Sequence, residues 1–211
     1  MYKLYLLCLV ITVAFAKTSL WVGNGLYWSD YGGLAGKKIP RVIMRLVGED
    51  GRFNDGFLSN YIWARDAKVP IVDAQAVLND NIPANKFCDD LDYHLPISFS
   101  RFNGTIWLRL FNQKGLWSLK AQDRIPYIEA VVNSCQKYGY KVGIAVDTIT
   151  WVALMGRQSA GSAALGKLPL WYSNWNGAAN FDDYAYTGFG PWSAPTMKQY
   201  LDYEGLSYYE D

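Results

Sequence analysis

The sequence predicts an irregular, mostly parallel β/α barrel folded as a single domain. Three observations carry that expectation. From Arg41 onward, branched and aromatic runs alternate with helical stretches, the pattern of a parallel sheet joined by connecting helices. The runs "IVD", "GIAVD" and "LPLWYS" end in polar groups, and parallel barrels gather their functional groups at the C-terminal ends of their strands. No repeat, low-complexity tract or linker divides the chain.

The first residues, "MYKLYLLCLVITVAFA", stand apart from the fold. A basic Lys3, an apolar run from Leu4 to Phe15 and the small-x-small ending Ala14-Phe15-Ala16 have the form of a secretory signal peptide. The expected division is therefore a leader at 1–16 and one domain over 17–211. Export or delivery to a lysosomal or phagosomal lumen follows from the leader. After a Gly-rich start, "RVIMRLV" from Arg41 reads as a strand. "DGFLSNYIWARDA" from Asp55 is a helix with Phe57, Leu58, Tyr61 and Ile62 on one face, and "VPIVDAQ" from Val69 is a second strand, which completes one βαβ unit. A helix within Ala84–Tyr93 leads to the strand "TIWLRLF". In "DRIPYIEAVVNSCQKYG", Asp123 is the candidate N-cap, Pro126 falls in the first turn and Gly139 is the stop, as capping preferences suggest. "KVGIAVD" is then a strand, "TITWVALMG" a short helix, and "LPLWYSNWN" and "MKQYLDY" late strands.

Composition narrows the function classes. Lys and Arg number 20 against 19 acids, and removal of Lys3 with the leader leaves the remainder formally neutral. A neutral chain with no basic run has no electrostatic basis for binding nucleic acid or an anionic membrane; a monomer without cofactor or metal is expected. Aromatic residues make up 16% of the chain, nine of them Trp; flat rings of this kind pack cores and also stack on sugars. Cys88 and Cys135, the two thiols outside the leader, are expected to pair in an oxidising compartment. Asn103 opens an N-G-T glycosylation sequon. His94, the only histidine, has no nucleophile patterned with it and reads as a helix-end residue. The acidic "CDDLD" reads as a solvated helix face, since no regular oxygen-ligand spacing accompanies it. One residue stands out. Arg109 sits in the middle of a strand built to be buried, where an unpaired guanidinium would cost several kcal/mol.

The segments "RVIMRLVGEDGRFNDGF", "VPIVDAQ", "TIWLRLFN", "YKVGIAVDTITWVALMG", "LPLWYSNWNGAANFDDY" and "GFGPWSAPTMKQY" together resemble the glycoside hydrolase family 25 lysozymes, in the form found in nematodes and amoebae. They follow that family's order from about Arg41 to Tyr200. The resemblance implies an irregular β/α barrel with a site for the aminosugar chains of bacterial wall, peptidoglycan above all. In the family, the strand matched by "TIWLRLFN" has the pattern W-x-D-x-E, and both acids project into the cleft. Here Arg109 and Phe111 fill those places. The first-strand acid is replaced by Gly23 or Asn24, and Asp202 and Glu204 stand near the last family acid in a different context. Asp73 matches a family acid, and Asp147 stands where the family usually has a small hydroxyl residue.

Glycoside hydrolysis needs a proton donor and a carboxylate to stabilise or capture the developing cation; arginine and phenylalanine supply neither. The expected function is thus a secreted lysozyme-like protein that lacks ordinary catalysis and binds a glycan through Trp107, Arg109, Trp171, Tyr172, Trp175 and Trp192. Two alternatives stay open: an active hydrolase with Asp73 and Asp147 as relocated acids, and a structural or partner-binding protein that kept only the fold. Asp73, Arg109 and Asp147 are expected near one mouth of the barrel, with Asp73 pairing Arg109.

Overall fold

The computed structural model describes residues 18–22, 40–94, 102, 104–200 and 206–210 of the chain. In chain order the elements are β1 Thr18–Val22, β2 Arg41–Val47, α1 Phe57–Asp66, β3 Ile71–Val77, α2 Ala84–His94, β4 Thr105–Arg109 and α3 Ala121–Lys137. They continue with β5 Lys141–Val146, α4 Thr148–Met155, a 3₁₀ turn at Leu165–Lys167, β6 Leu170–Ser173, α5 Tyr184–Thr187, β7 Met197–Gln199 and β8 Leu206–Glu210. The strands close into a barrel in chain order. Neighbours from β1 through β7 pair in parallel, while β8 runs antiparallel to both β7 and β1 and closes the ring. This is the expected mostly parallel β/α barrel; the antiparallel closing strand is a feature the sequence pattern did not suggest.

Alternation along each strand sends one set of side chains outward and the other into the barrel. Outward residues such as Met44, Val72, Ile106 and Ile144 join the helix-facing core with Phe57, Leu91 and Val131. The inner cluster is Ile43, Trp107, Ala145, Trp171 and Met197. Trp107 fits because its register partner on β5 is Gly143. A Cβ built on Gly143 would lie 2.5 Å from the Trp107 ring and 3.1 Å from the Pro169 carbonyl. A Gly143→Ala variant is therefore expected to lose about 1–3 kcal/mol through overpacking, read as a lower urea midpoint. An unchanged midpoint would show that the interior is looser than this contact implies.

Several boundaries differ from expectation, each for a local reason. In α1 the buried face is Phe57, Asn60, Tyr61 and Ala64, with Ile62 exposed. Asn60 takes the place expected of Leu58 because its amide donates to the Gly56 carbonyl at 2.7 Å. α3 begins at Ala121 with Lys120 before it, so Asp123 lies in the first turn instead of capping it. The chain is already fixed upstream, where Asp80 accepts from Ser118 N at 2.8 Å and Leu119 N at 2.7 Å. β4 stops at Arg109, two residues early; the Phe111 carbonyl turns away to accept from Trp117 Nε1 at 2.8 Å. β7 covers only Met197–Gln199 of "MKQYLDY", and Asp202 lies outside the described residues.

Cys88 on α2 and Cys135 on α3 form the expected disulfide, with Cα atoms 5.1 Å apart and both residues fully buried. The bond fastens two helices that pack side by side. His94 is the last residue of α2. Beside it, Asp89 and Asp92 accept from the hydroxyls of Tyr138 at 2.5 Å and Tyr140 at 2.6 Å. The acidic face of α2 is thus partly used to hold the turn between α3 and β5. Burial, with help from Asp92, pushes the Tyr140 hydroxyl pKa well up, so it stays a hydrogen-bond donor across the physiological range.

Candidate functional site

The strands fix the height of every interior side chain, and that separates residues the sequence had placed together. Arg109 is the last residue of β4 and pairs in register with Val77, the last of β3. Asp73 is the third residue of β3 and pairs with Ile43. The two are four positions apart along parallel strands, about 13 Å at roughly 3.3 Å per residue. Asp73 therefore belongs to the floor of the barrel and Arg109 to its C-terminal mouth, which corrects both the shared mouth and the expected pairing.

At the floor, Asp73 is buried and its carboxylate is used structurally. It accepts from Thr105 N at 2.7 Å and from Trp107 Nε1 at 2.9 Å, and Arg41 Nε stands 3.5 Å away. The family acid that survives in the sequence thus links β2, β3 and β4 from inside.

At the mouth, Arg109 is 5% exposed. Its NH1 donates to Ser173 Oγ at 2.8 Å, and that hydroxyl donates in turn to Gln199 Oε1 at 3.1 Å. The guanidinium carbon lies 5.0 Å from the Phe111 ring centre and 5.6 Å from that of Trp171. Ser173 and Gln199 end their strands and Phe111 lies beyond the end of β4, so the guanidinium points toward the opening. Ala145, the register partner of Arg109 on β5, is small enough to let the side chain pass across to β6. Contacts of a cation with aromatic faces contribute about 0.5–2 kcal/mol each as water is excluded. Arginine and phenylalanine, read in sequence as lost acids, form one packed unit here.

Asp147 follows β5 directly and so lies on the mouth side, but it is the N-cap of α4. Its carboxylate accepts from Thr150 N at 2.8 Å. The carboxylate thus has a structural use as a helix cap.

The aromatic residues proposed to bind a ligand divide sharply. Trp107 and Trp171 pack edge to face inside the barrel at 5.9 Å and are almost wholly buried. Tyr172 points outward and donates to Asp183 Oδ2 at 2.9 Å. Trp192 packs on Trp151 at 5.1 Å and donates to the Leu168 carbonyl at 3.0 Å. These four are buried in the core. Trp175, two residues past the end of β6 and 59% exposed, is the one ring of the set that presents a face to solvent.

A polar cluster that sequence reasoning missed supports the loop bearing Trp175. Lys198 on β7 is fully buried, and its Nζ donates to Asp183 Oδ1 at 2.7 Å and Asn176 Oδ1 at 3.1 Å. Asp183 Oδ2 also accepts from Asn174 Nδ2 at 2.5 Å. Burial would raise the Asp183 carboxyl pKa, but donation from Lys198, Asn174 and Tyr172 outweighs it and holds the group below its ordinary value. A lysine between the buried Met197 and Gln199 was the available signal, of the same kind as Arg109 in β4.

Asn103, Gly23, Asn24, Asp202 and Glu204 lie outside the described residues. Among the described residues, no group of three or more His, Cys, Asp or Glu side chains could hold a metal ion, and no helix is long and apolar enough to cross a membrane. Two surface grooves of about 460 and 430 Å³ lie against α3, away from the mouth.

Comparison with known proteins identifies the kind of barrel this is. The family model described as lysozyme-like protein 1 matches residues 28–200. A probable family 25 lysozyme, number 4, of Dictyostelium discoideum is 26% identical over 95% of this chain and 92% of its own length. Among solved structures, the muramidase of Trichobolus zukalii superposes with a TM-score of 0.68 at 15% identity, covering 92% of both chains. The autolysin LytC of Streptococcus pneumoniae, solved with a synthetic peptidoglycan ligand, superposes with a TM-score of 0.63 at 11% identity over 91% of this chain and 46% of its own.

Proposed function

The chain belongs to the lysozyme-like proteins of glycoside hydrolase family 25, and from that membership we propose that it is a secreted, catalytically disabled member that binds aminosugar polymer without cutting it. The observation that carries the proposal is the distribution of acids. In the strand residues of β2 to β7 the single acid is Asp73, and it is tied into the floor. Retaining and inverting hydrolysis both need two carboxyl groups, about 5–9.5 Å apart, flanking the scissile bond. Arg109 and Phe111 occupy the places where the family resemblance puts two of them, and Asp147 caps a helix. The same facts weaken the relocated-acid alternative.

Binding is supported by the exposed ring of Trp175 on the rim, which needs no carboxylate to stack on a sugar face. The peptidoglycan ligand of the LytC structure supports aminosugar polymer as the class. Export through the leader at 1–16, action as a monomer and glycan attachment at Asn103 belong to the same proposal.

The test is turbidity clearing of bacterial wall suspensions, run beside co-sedimentation with insoluble wall and chitin. The purified protein is expected to leave turbidity unchanged and to sediment with the polymer, with Trp175→Ala reducing the bound fraction. Clearing that disappears in Asp73→Asn or Asp147→Asn would overturn the disabled reading. Absence from the pellet at every polymer load would overturn the binding reading.

A further inference from the structure

We propose that the groove between α2 and α3, on the outside of the barrel, is a second saccharide site that takes neutral pyranose chains. It goes beyond the reading of the mouth and does not depend on Trp175.

The groove encloses about 460 Å³ between Asn85 and Asp89 of α2, Ala130, Asn133 and Lys137 of α3, and Tyr138 just after it. That volume is within the roughly 300–1,000 Å³ of small-ligand sites. Helical spacing puts these groups on one seam, since Asn85 and Asp89 are four apart and Ala130, Asn133 and Lys137 repeat at three and four. The walls are fixed to each other. The Cys88–Cys135 disulfide joins the two helices, and Ser134 Oγ donates to the Asn85 carbonyl at 3.2 Å. Tyr138 is fixed as well. Its hydroxyl donates to Asp89 Oδ1 at 2.5 Å, and its ring stacks on Tyr140 with centres 6.4 Å apart. The Tyr140 hydroxyl in turn donates to Asp92 Oδ1 at 2.6 Å. Tyr138 is nonetheless 45% exposed. A ring held this way loses little rotamer entropy when a ligand settles on it, and the C–H face of a pyranose suits a flat aromatic surface. Beside the ring, the side-chain amides of Asn85 and Asn133 each offer donors and an acceptor, matching sugar hydroxyls that do both. Among the described residues, no hydrogen bond engages either of these amides. Lys137 and Asp89 are the two charges of the lining and offset each other, which favours a neutral saccharide over an anion or a cation.

The shared chemistry is a neutral pyranose ring, with or without an acetamido group, so the probes are chitotetraose and cellotetraose. Each is titrated to millimolar concentration into the full chain while two-dimensional amide NMR spectra are recorded. Cross-peaks of Asn133, Lys137 and Tyr138 are expected to shift with at least one saccharide, in the unmodified protein and in Trp175→Ala alike. A response to chitotetraose alone supports recognition through the acetamido group. A response to cellotetraose, alone or with chitotetraose, supports recognition through the ring face and hydroxyls. Ala130→Arg, which fills the groove from an exposed helix position, is expected to weaken the response about tenfold or more, and Tyr138→Ala about tenfold through the lost ring contact. Because the shifts are first read on the unmodified protein, a variant that fails to fold does not spoil the test. Groove cross-peaks that stay still while the Trp175 indole shifts would overturn the exterior site and leave the mouth reading standing. The reverse pattern would support the exterior site and overturn the role of Trp175. Silence at both places would overturn both, and a groove response unchanged in Ala130→Arg and Tyr138→Ala would overturn the groove as the place of binding.

Discussion

A Lys198→Ala variant is expected to lose about 3–5 kcal/mol of stability, the range seen when one member of a buried ion pair is removed. Lys198 is wholly inaccessible, and its ammonium is bonded to Asp183 and Asn176. Without it, Asp183 keeps its charge and the donors Tyr172 and Asn174, but loses the ammonium 2.7 Å from its carboxylate. The deleted stem also leaves a cavity behind the sheet. Urea denaturation measures the loss, and limited proteolysis of the 174–183 segment reports whether the loop carrying Trp175 is released first. Lys198→Met combined with Asp183→Asn should recover much of the stability, because both charges then leave together. A loss under about 1 kcal/mol in Lys198→Ala would sink the assignment of this pair as an anchor.

The same pair sets a pH dependence whose sign is fixed by the direction of the shift. The Asp183 carboxyl is held below its ordinary value in the folded protein. Its contribution is therefore fully present above the unfolded pKa, about 3.9, and is lost as pH falls through the lower folded value. The difference in melting temperature between wild type and Lys198→Met should stay constant from pH 7 to about 5 and shrink below about 4. Tertiary structure around the loop is then expected to persist down to about pH 5.

The barrel was legible in the sequence because its strands are short apolar runs spaced by helices, and because Gly156, Gly139 and Asp147 punctuate helices in ordinary ways. The disulfide followed from two remaining thiols. The side-chain roles were less legible, for a geometric reason. Sequence tells that Asp73 and Arg109 lie on strands, but their height in the barrel depends on register, and Ala74↔Ile106 and Val77↔Arg109 set it. Aromatic content was similarly ambiguous: "LPLWYSNWN" alternates Trp171 inward, Tyr172 outward and Trp175 into solvent, and one aromatic-rich segment therefore serves three environments. The face of α1 was misread because Asn60 satisfies its own polar group at Gly56, which hydrophobic periodicity does not register.

Replacing Asp73 by alanine is expected to be about as damaging as losing Lys198, at about 3–5 kcal/mol, although the family resemblance marks it as a site residue. Its two oxygens serve the Thr105 amide at 2.7 Å and the Trp107 indole at 2.9 Å, with Arg41 at 3.5 Å. Alanine leaves those buried donors without this acceptor, and a buried donor left unmade costs about 1–3 kcal/mol. Asp73→Asn should lose less, since one oxygen remains, yet its amide hydrogens must face either a backbone N–H or the indole N–H. Trp107 packs on Trp171, and Trp171 on the Arg109 guanidinium, so the floor carboxylate supports the mouth through a column of side chains. Near-UV circular dichroism of the two tryptophans and urea midpoints measure the effect together. If Asp73→Asn keeps the wild-type midpoint and spectrum, the carboxylate is not what orders the floor, and its retention would then point back to chemistry.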